Sequence, residues 1–185
     1  IMFPNLEVLA QYAELNNKEK ELLTSLKRPI VLLKIKKHLA EAVTYGIDTI
    51  GAMLPYLPFH YLLFNKTKLP AIVLTSGNIS DEPIIINNEE AKSRLLEFID
   101  GILIHDRDIH NRNDDSVINV VNNSERIIRR SRGYVPEVIK TTLNVEGIIA
   151  TGAELKNCFC IGKDNEMILS QHIGDLKNIE TFIFF

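Results

Sequence analysis

The stretch Leu69–Ser80, LPAIVLTSGNIS, decides how this chain reads. Its first six residues are apolar and are expected to form a buried strand. They run straight into two hydroxyls, a glycine and a side-chain amide. Ligands of open α/β sheets sit beyond the carboxyl ends of strands. Glycine lets backbone approach a ligand closely. Hydroxyls and backbone N–H groups cradle phosphate, and an Asn amide fixes a sugar or phosphate oxygen. The plain alternative is an ordinary turn made of turn residues, and this stretch alone leaves both readings open.

Working outward, a second apolar run ends in the same way. Gly101–Ile104 is expected to be a strand, and it opens into HDRDIHNRNDDS (His105–Ser116). Arg107 and Arg112 have the planar fork that holds phosphate or carboxylate. Asp114 and Asp115 suit a Mg²⁺ ion carried by a nucleotide, because hard cations take carboxylate and phosphate oxygens. His105 and His110 are five apart, which is not a helical metal pair. A solvated loop of compensating charges is the bland reading, strongest for Asp108 and His110. Ser116–Val121 and Arg126–Arg130 then form a hairpin around Asn122-Asn123-Ser124. Strand alternation would put Arg126 and Arg130 on one face and Arg129 on the other.

Helices are expected over Asn5–Ala13, after Asn17 as N-cap, in Leu54–Phe64 beyond Pro55 and Pro58, and from Asn87 through Phe98. Pro29–Ile35 reads as a buried strand and Lys36–Thr49 as irregular. Pro136–Val145 is polar and irregular, so a domain boundary falls there. Gly147–Ala150 and a hairpin of Asn157–Gly162 with Met167–Ser170 follow. The whole is α+β or α/β in class, in two parts: residues 1–139 and 140–185.

The chain has 185 residues, 21 Lys+Arg, 24 Asp+Glu and a formal net charge of −3. That balance disfavours a surface built wholly for nucleic acid, since phosphate binding is driven by Lys and Arg. Two cysteines, Cys158 and Cys160, make no zinc knuckle or disulfide framework, and free thiols suit a cytoplasmic setting. No run of 18 apolar residues occurs, so no membrane span is expected. Ile1 at the start and Ile183-Phe184-Phe185 at the end read as cuts from a longer chain.

Seven motifs follow one another in order: LLTSLKRPIVLLK (Leu22–Lys34), LPYLPFHYLLF (Leu54–Phe64), TSGNISDEPI (Thr75–Ile84), HDRDIHNRNDDSV (His105–Val117), RRSRGYVP (Arg129–Pro136), GAELKNCFC (Gly152–Cys160) and LSQHIGDLKNIET (Leu169–Thr181). Together they resemble HypF, the family of carbamoyltransferases that helps build the cyanide ligands of [NiFe]-hydrogenase. The resemblance implies a YrdC-like twisted mixed sheet with helices, lacking its N-terminal part. The first β-hairpin elements of a truncated ASKHA-type domain would follow. It implies ATP and carbamoyl phosphate as substrates, Mg²⁺ with the nucleotide, zinc held outside this chain, and the protein HypE as carbamoyl acceptor. The reaction so implied forms carbamoyl-adenylate and passes the carbamoyl group to the C-terminal cysteine of HypE. By the same resemblance Ser76, Asn78, Ser116 and Arg130 would contact nucleotide, with Arg107, Arg112 and Asp115 from the same loop as lesser members. No catalytic residue is assigned.

Two positions depart from the family pattern. Asn113 stands where the R-C-D-D-S stretch has Cys. Asn119 stands where an Arg follows the D-D-S-V run, which puts one anion contact or salt bridge in doubt. The rival reading is a YrdC-type module for RNA binding or tRNA threonylcarbamoyladenosine synthesis. The −3 balance disfavours it, although the Arg126–Arg132 cluster leaves room for a small patch. The 185 residues alone are expected to be inactive.

Overall fold

Asn5 and Asn16 set the first two helices. In α1 (Leu6–Tyr12) the Asn5 side chain accepts from Val8 N–H at 2.9 Å, and Leu9 turns into the core. In α2 (Asn17–Thr24) the N-cap is Asn16, not Asn17 as expected. Glu19, three residues on from Asn16, closes a reciprocal box: its backbone N–H donates to Asn16 Oδ1 at 2.8 Å, and its carboxylate accepts from Asn16 N–H at 2.7 Å. The structure is a computed structural model that describes residues 1–80 and 82–184. Asp81, inside the Thr75–Ile84 motif, and Phe185 lie outside the described residues.

The chain forms two units, residues 1–74 with 115–134, and residues 75–114 with 135–185. In the first unit, β1 (Ile30–Lys34), β2 (Thr49–Ala52), β3 (Val117–Val121) and β4 (Ser124–Arg129) make one sheet in the order β2-β1-β3-β4. β1 runs parallel to β3, and the other pairs are antiparallel, so the sheet is mixed. A short α3 (Glu41–Thr44) lies in the segment expected to be irregular, and α4 (Pro58–Thr67) starts at its proline as expected. The core gathers Leu9, Leu23, Val31, Leu33, Ile118 and Tyr134, each at most 2% exposed. Such side chains contribute about 1.5–3 kcal/mol each on burial. β2 is short and contains Gly51, so periodicity alone hides it; Ile50 and Ala52 are its buried pair.

Three expectations fail here for identifiable reasons. Leu69–Leu74 is not a strand: only Ile72 pairs, through a single bridge to Met2, while Val73 is 66% exposed. Gly101–Ile104 is not a strand either, and Leu103 is 76% exposed. Among the described residues neither run has a ladder partner, and an apolar run without one stays a loop. The third concerns the arginines. The β3–β4 register shifts at Val117/Ile118, so Ile118 faces Ile127 while Val117 faces Arg129. The extra residue breaks the alternation. Arg126, opposite Asn119, therefore shares a face with Arg129, and Arg130 lies beyond the strand.

In the second unit Asn87 caps α5 (Asn88–Leu95) by accepting from Glu89 and Glu90 N–H groups. The helix ends at Leu95, short of Phe98. β5 (Ile139–Lys140), β6 (Ile149–Ala150), β7 (Cys160–Lys163) and β8 (Glu166–Leu169) form a sheet in the order β5-β8-β7-β6, and the expected β7–β8 hairpin is present. α6 (Ile179–Phe184) closes the described chain. Among the described residues Ile85 is the one buried aliphatic side chain of this unit, at 8% exposed.

Candidate functional site

The Thr75–Ser80 turn is organised from its own side chains. Ser76 Oγ donates to Asn78 Oδ1, while Asn78 Nδ2 donates to the Ile79 and Glu82 carbonyls at 2.9 Å each. Ile85 N–H closes the turn on Gly77 O at 2.9 Å. Nothing lies within 4 Å of where a Cβ on Gly77 would stand, so the backbone there is open to approach. This turn, with Leu95, Phe98 and Ile99, lines an open cavity of about 450 Å³. Its lining combines the polar residues of the turn with apolar Ile79, Leu95, Phe98 and Ile99, and Phe98 is 73% exposed. Such a cavity suits a ligand with a flat apolar part and a polar or anionic part.

The 105–114 loop belongs to the same unit. Asn88 Nδ2 donates to His105 O at 2.8 Å and fixes the loop's start on α5. Arg107 is exposed, and its backbone N–H donates to His105 Nδ1 at 3.2 Å. Arg112 is half-buried, and its Nε donates to Ile84 O at 2.8 Å. Thus Ser76, Asn78, Arg107 and Arg112 lie in the second unit.

Asp115, Ser116 and Arg130 lie in the first. Ser116 is fully buried; its hydroxyl donates to Arg132 O at 2.9 Å and accepts from Ser131 N–H at 2.8 Å. Here it works as a staple between the start of β3 and the segment after β4. Arg130 is half-buried just past β4. Asp115 Oδ1 takes two donors from Arg132, Nε and a terminal nitrogen, both at 2.7 Å.

Arg132 is the residue that the sequence reading left out of the site. Its guanidinium also donates to the carbonyls of Lys27 (3.2 Å) and Arg28 (2.8 Å) and stacks 3.7 Å above the Tyr56 ring. His60 packs edge-on against Tyr56, with ring centres 4.7 Å apart. It occupies the third position of α4, and its Nδ1 accepts long bonds from Leu57 (3.4 Å) and Tyr56 (3.5 Å) N–H groups. Burial pushes the His60 imidazole below its ordinary range; Asp115 opposes this and Arg132 adds to it. Burial and the Asp115 carboxylate push the Tyr56 phenol up, and Arg132 pulls it back. The cue available in sequence was the Tyr-x-x-x-His spacing behind two prolines, but nothing local ties it to an arginine 76 positions away.

Among the described residues, no group of three or more His, Cys, Asp and Glu is arranged to hold a metal ion. No helix among them is long and apolar enough to cross a membrane.

The Sua5/YciO/YrdC family model, described as telomere recombination, matches residues 1–131, and the model of the HypF Kae1-like domain matches 144–185. YciO of E. coli shares the fold, with a TM-score of 0.58 at 20% identity over 72% of this chain and 68% of its own. Sheet, caps and hydroxyl–amide turn therefore define a YrdC-like α+β protein carrying the opening of a Kae1-like segment. The chain belongs to the Sua5/YciO/YrdC family, and along its whole length it is similar to proteins of the HypF family, which are named carbamoyltransferases. It is 39% identical to carbamoyltransferase HypF of Rhizobium leguminosarum bv. viciae, over 100% of this chain and 25% of that protein. It is 41% identical to that of Synechocystis sp., over 98% and 24%. A full-length HypF crystallised in a phosphate- and nucleotide-bound form superposes with a TM-score of 0.93 at 45% identity, over 99% of this chain and 29% of that one. The chain spans about a quarter of the length of the curated relatives it matches.

Proposed function

We propose that this chain is the adenylating part of a carbamoyltransferase, with residues 1–139 as the YrdC-like domain and 140–185 as the opening of the carbamoyl-transfer domain. The family-model bounds at 131 and 144 support that division. In this reading carbamate, released from carbamoyl phosphate, attacks the α-phosphorus of ATP through a carboxylate oxygen. The bond to the β-phosphate breaks, pyrophosphate leaves, and carbamoyl-adenylate remains. The carbamoyl group then passes to the C-terminal cysteine of HypE, releasing AMP. Mg²⁺ brought with the nucleotide would offset phosphate charge. Ser76 and Asn78 take nucleotide oxygens, with Arg107 and Arg112 of the same unit beside them; for Asp115, Ser116 and Arg130 of the other unit, nucleotide contact rests on the family resemblance alone. Within their own unit Asp115 and Ser116 hold Arg132 and the strand ends.

The cavity of about 450 Å³ on the Thr75–Ser80 turn carries this reading. Its lining offers polar groups suited to phosphate and apolar residues suited to a base, and a relative of the same fold is known in a nucleotide-bound form. Positioned donors at developing phosphate charge are what such an adenylation needs. The test is ATP–pyrophosphate exchange dependent on carbamoyl phosphate, in the whole protein. Asn78→Ala and Arg130→Ala are each expected to lower the rate about 100-fold; unchanged exchange in both removes them from the site. The 185 residues alone are expected not to carbamoylate HypE, and full turnover by them would contradict the proposed division of labour.

A further inference from the structure

Two struts run from the last third of the second unit to the turn that carries Ser76 and Asn78. The first begins at Gln171, whose backbone is pinned on both sides. Ser170 N–H donates to Phe159 O (2.9 Å), Ile173 N–H donates to Asn157 O (2.9 Å), and Asn157 N–H donates to Gly174 O (2.8 Å). From this base Gln171 Nε2 donates to Arg112 O at 2.6 Å. Arg112 Nε donates to Ile84 O at 2.8 Å, and the next residue, the buried Ile85, sends its N–H to Gly77 O at 2.9 Å. A continuous path of hydrogen bonds and single peptide units thus joins the end of β8 to the turn.

The second strut is electrostatic. Asn178 Oδ1 accepts from the N–H groups of Glu180 and Thr181 and so fixes the start of α6. Glu180 lies 3.9 Å from Arg94, which also pairs with Glu90 at 2.8 Å and with Glu82. Glu82 O accepts from Asn78 Nδ2 at 2.9 Å. The Glu180 contact is long and its side chain is 46% exposed, so solvent and salt screen it. The first strut is short and rests on fixed backbone, and it is the one that can hold the turn.

We propose that Gln171 is a positioning residue: by holding Arg112 O it keeps the 77–85 turn closed, so that residues 135–185 set the geometry in which Ser76 and Asn78 meet their ligand. The ligand part of this inference rests on the nucleotide reading above, while the strut itself does not. Gln171 need not touch substrate.

Gln171→Met in the whole protein keeps length and removes the donor, and Gln171→Glu sets a carboxylate against the Arg112 carbonyl. Two readouts separate the strut from general stability. Amide hydrogen exchange at Ile85, measured without ligand, is expected to quicken about five- to tenfold in both variants, the factor set by one net hydrogen bond. In the exchange assay KM for ATP is expected to rise by a similar factor, with kcat within twofold. Glu180→Gln is expected to change both readouts less than twofold. Ile85 exchange within twofold of wild type in both Gln171 variants would overturn the proposal, as would a fall in kcat with KM unchanged. If the wild-type protein fails to bind ATP, the nucleotide reading falls, and Ile85 exchange still decides the strut.

Discussion

Removing the Arg132 guanidinium takes away five contacts at once. Asp115 loses two charge-assisted donors, the Lys27 and Arg28 carbonyls lose one each, and Tyr56 loses its stacked cation. A hydrogen bond to a charged group is worth about 1.5–3 kcal/mol, a neutral one about 0.5–1.5 kcal/mol. A cation over an exposed ring adds about 0.5–1 kcal/mol. These do not sum, because one group makes all of them. Water also reaches the pair, whose side chains are 22% and 25% exposed. Arg132→Met is therefore expected to cost about 3 kcal/mol, most of it from Asp115 left without its partner. Arg132→Lys keeps the charge but loses the fork and the stack, and is expected to cost about 2 kcal/mol. Urea unfolding followed by far-UV circular dichroism and by tyrosine fluorescence reads this directly, since the chain has five Tyr and no Trp. A double-mutant cycle with Asp115→Asn isolates the pair, with an expected coupling of about 1.5 kcal/mol. A coupling below about 0.5 kcal/mol, with Arg132→Met within the same margin of wild type, would refute the view that this arginine organises the start of β3.

Gly133→Ala is expected to destabilise by about 3 kcal/mol or more in the same unfolding assay, because φ is +85° and the new Cβ would meet Lys27 O at 2.6 Å. Ser116→Ala strands the Ser131 N–H and the Arg132 carbonyl in a fully buried place; a loss of about 2 kcal/mol is expected, and a loss near zero would mean water replaces the hydroxyl. His60 carries a pH signature. Its folded pKa lies below the unfolded value, so its contribution is complete above the unfolded pKa of about 6.5 and declines as pH falls through it, because only the unfolded chain takes the proton. His60→Gln keeps an acceptor for the N-cap N–H and removes the titration, so the stability slope between pH 7 and pH 5 should flatten. An unchanged slope would assign the dependence to another group.

What the sequence disclosed tracks how local each determinant is. Asn5 and Asn87 announce their helices because a cap and the N–H donors it accepts from lie within three residues, and Pro58 announces α4 because it stands at the first helical position. Val73 and Leu103 misled because an apolar run promises burial without saying what will cover it. The shift at Val117/Ile118, which regroups Arg126 with Arg129, depends on the fit of two strands, and no periodicity within either one reveals it. At the site, the Thr75–Asn78 turn was legible as two hydroxyls, a glycine and an amide in a row. Arg132 was not, because its partners Lys27, Arg28 and Tyr56 lie far upstream in the chain.

The parallel pairing of β1 with β3 has a consequence for synthesis. Between Lys34 and Val117 the ribosome must add roughly eighty residues, which at about 5–20 residues per second takes on the order of 4–16 s. Through that interval β2 is the one of its two strand partners already made, and the flank that β3 will cover waits for it. A trigger-type chaperone that recognises unpaired, Val- and Leu-rich strands would find its target there, and slower elongation across 75–114 would lengthen the exposure.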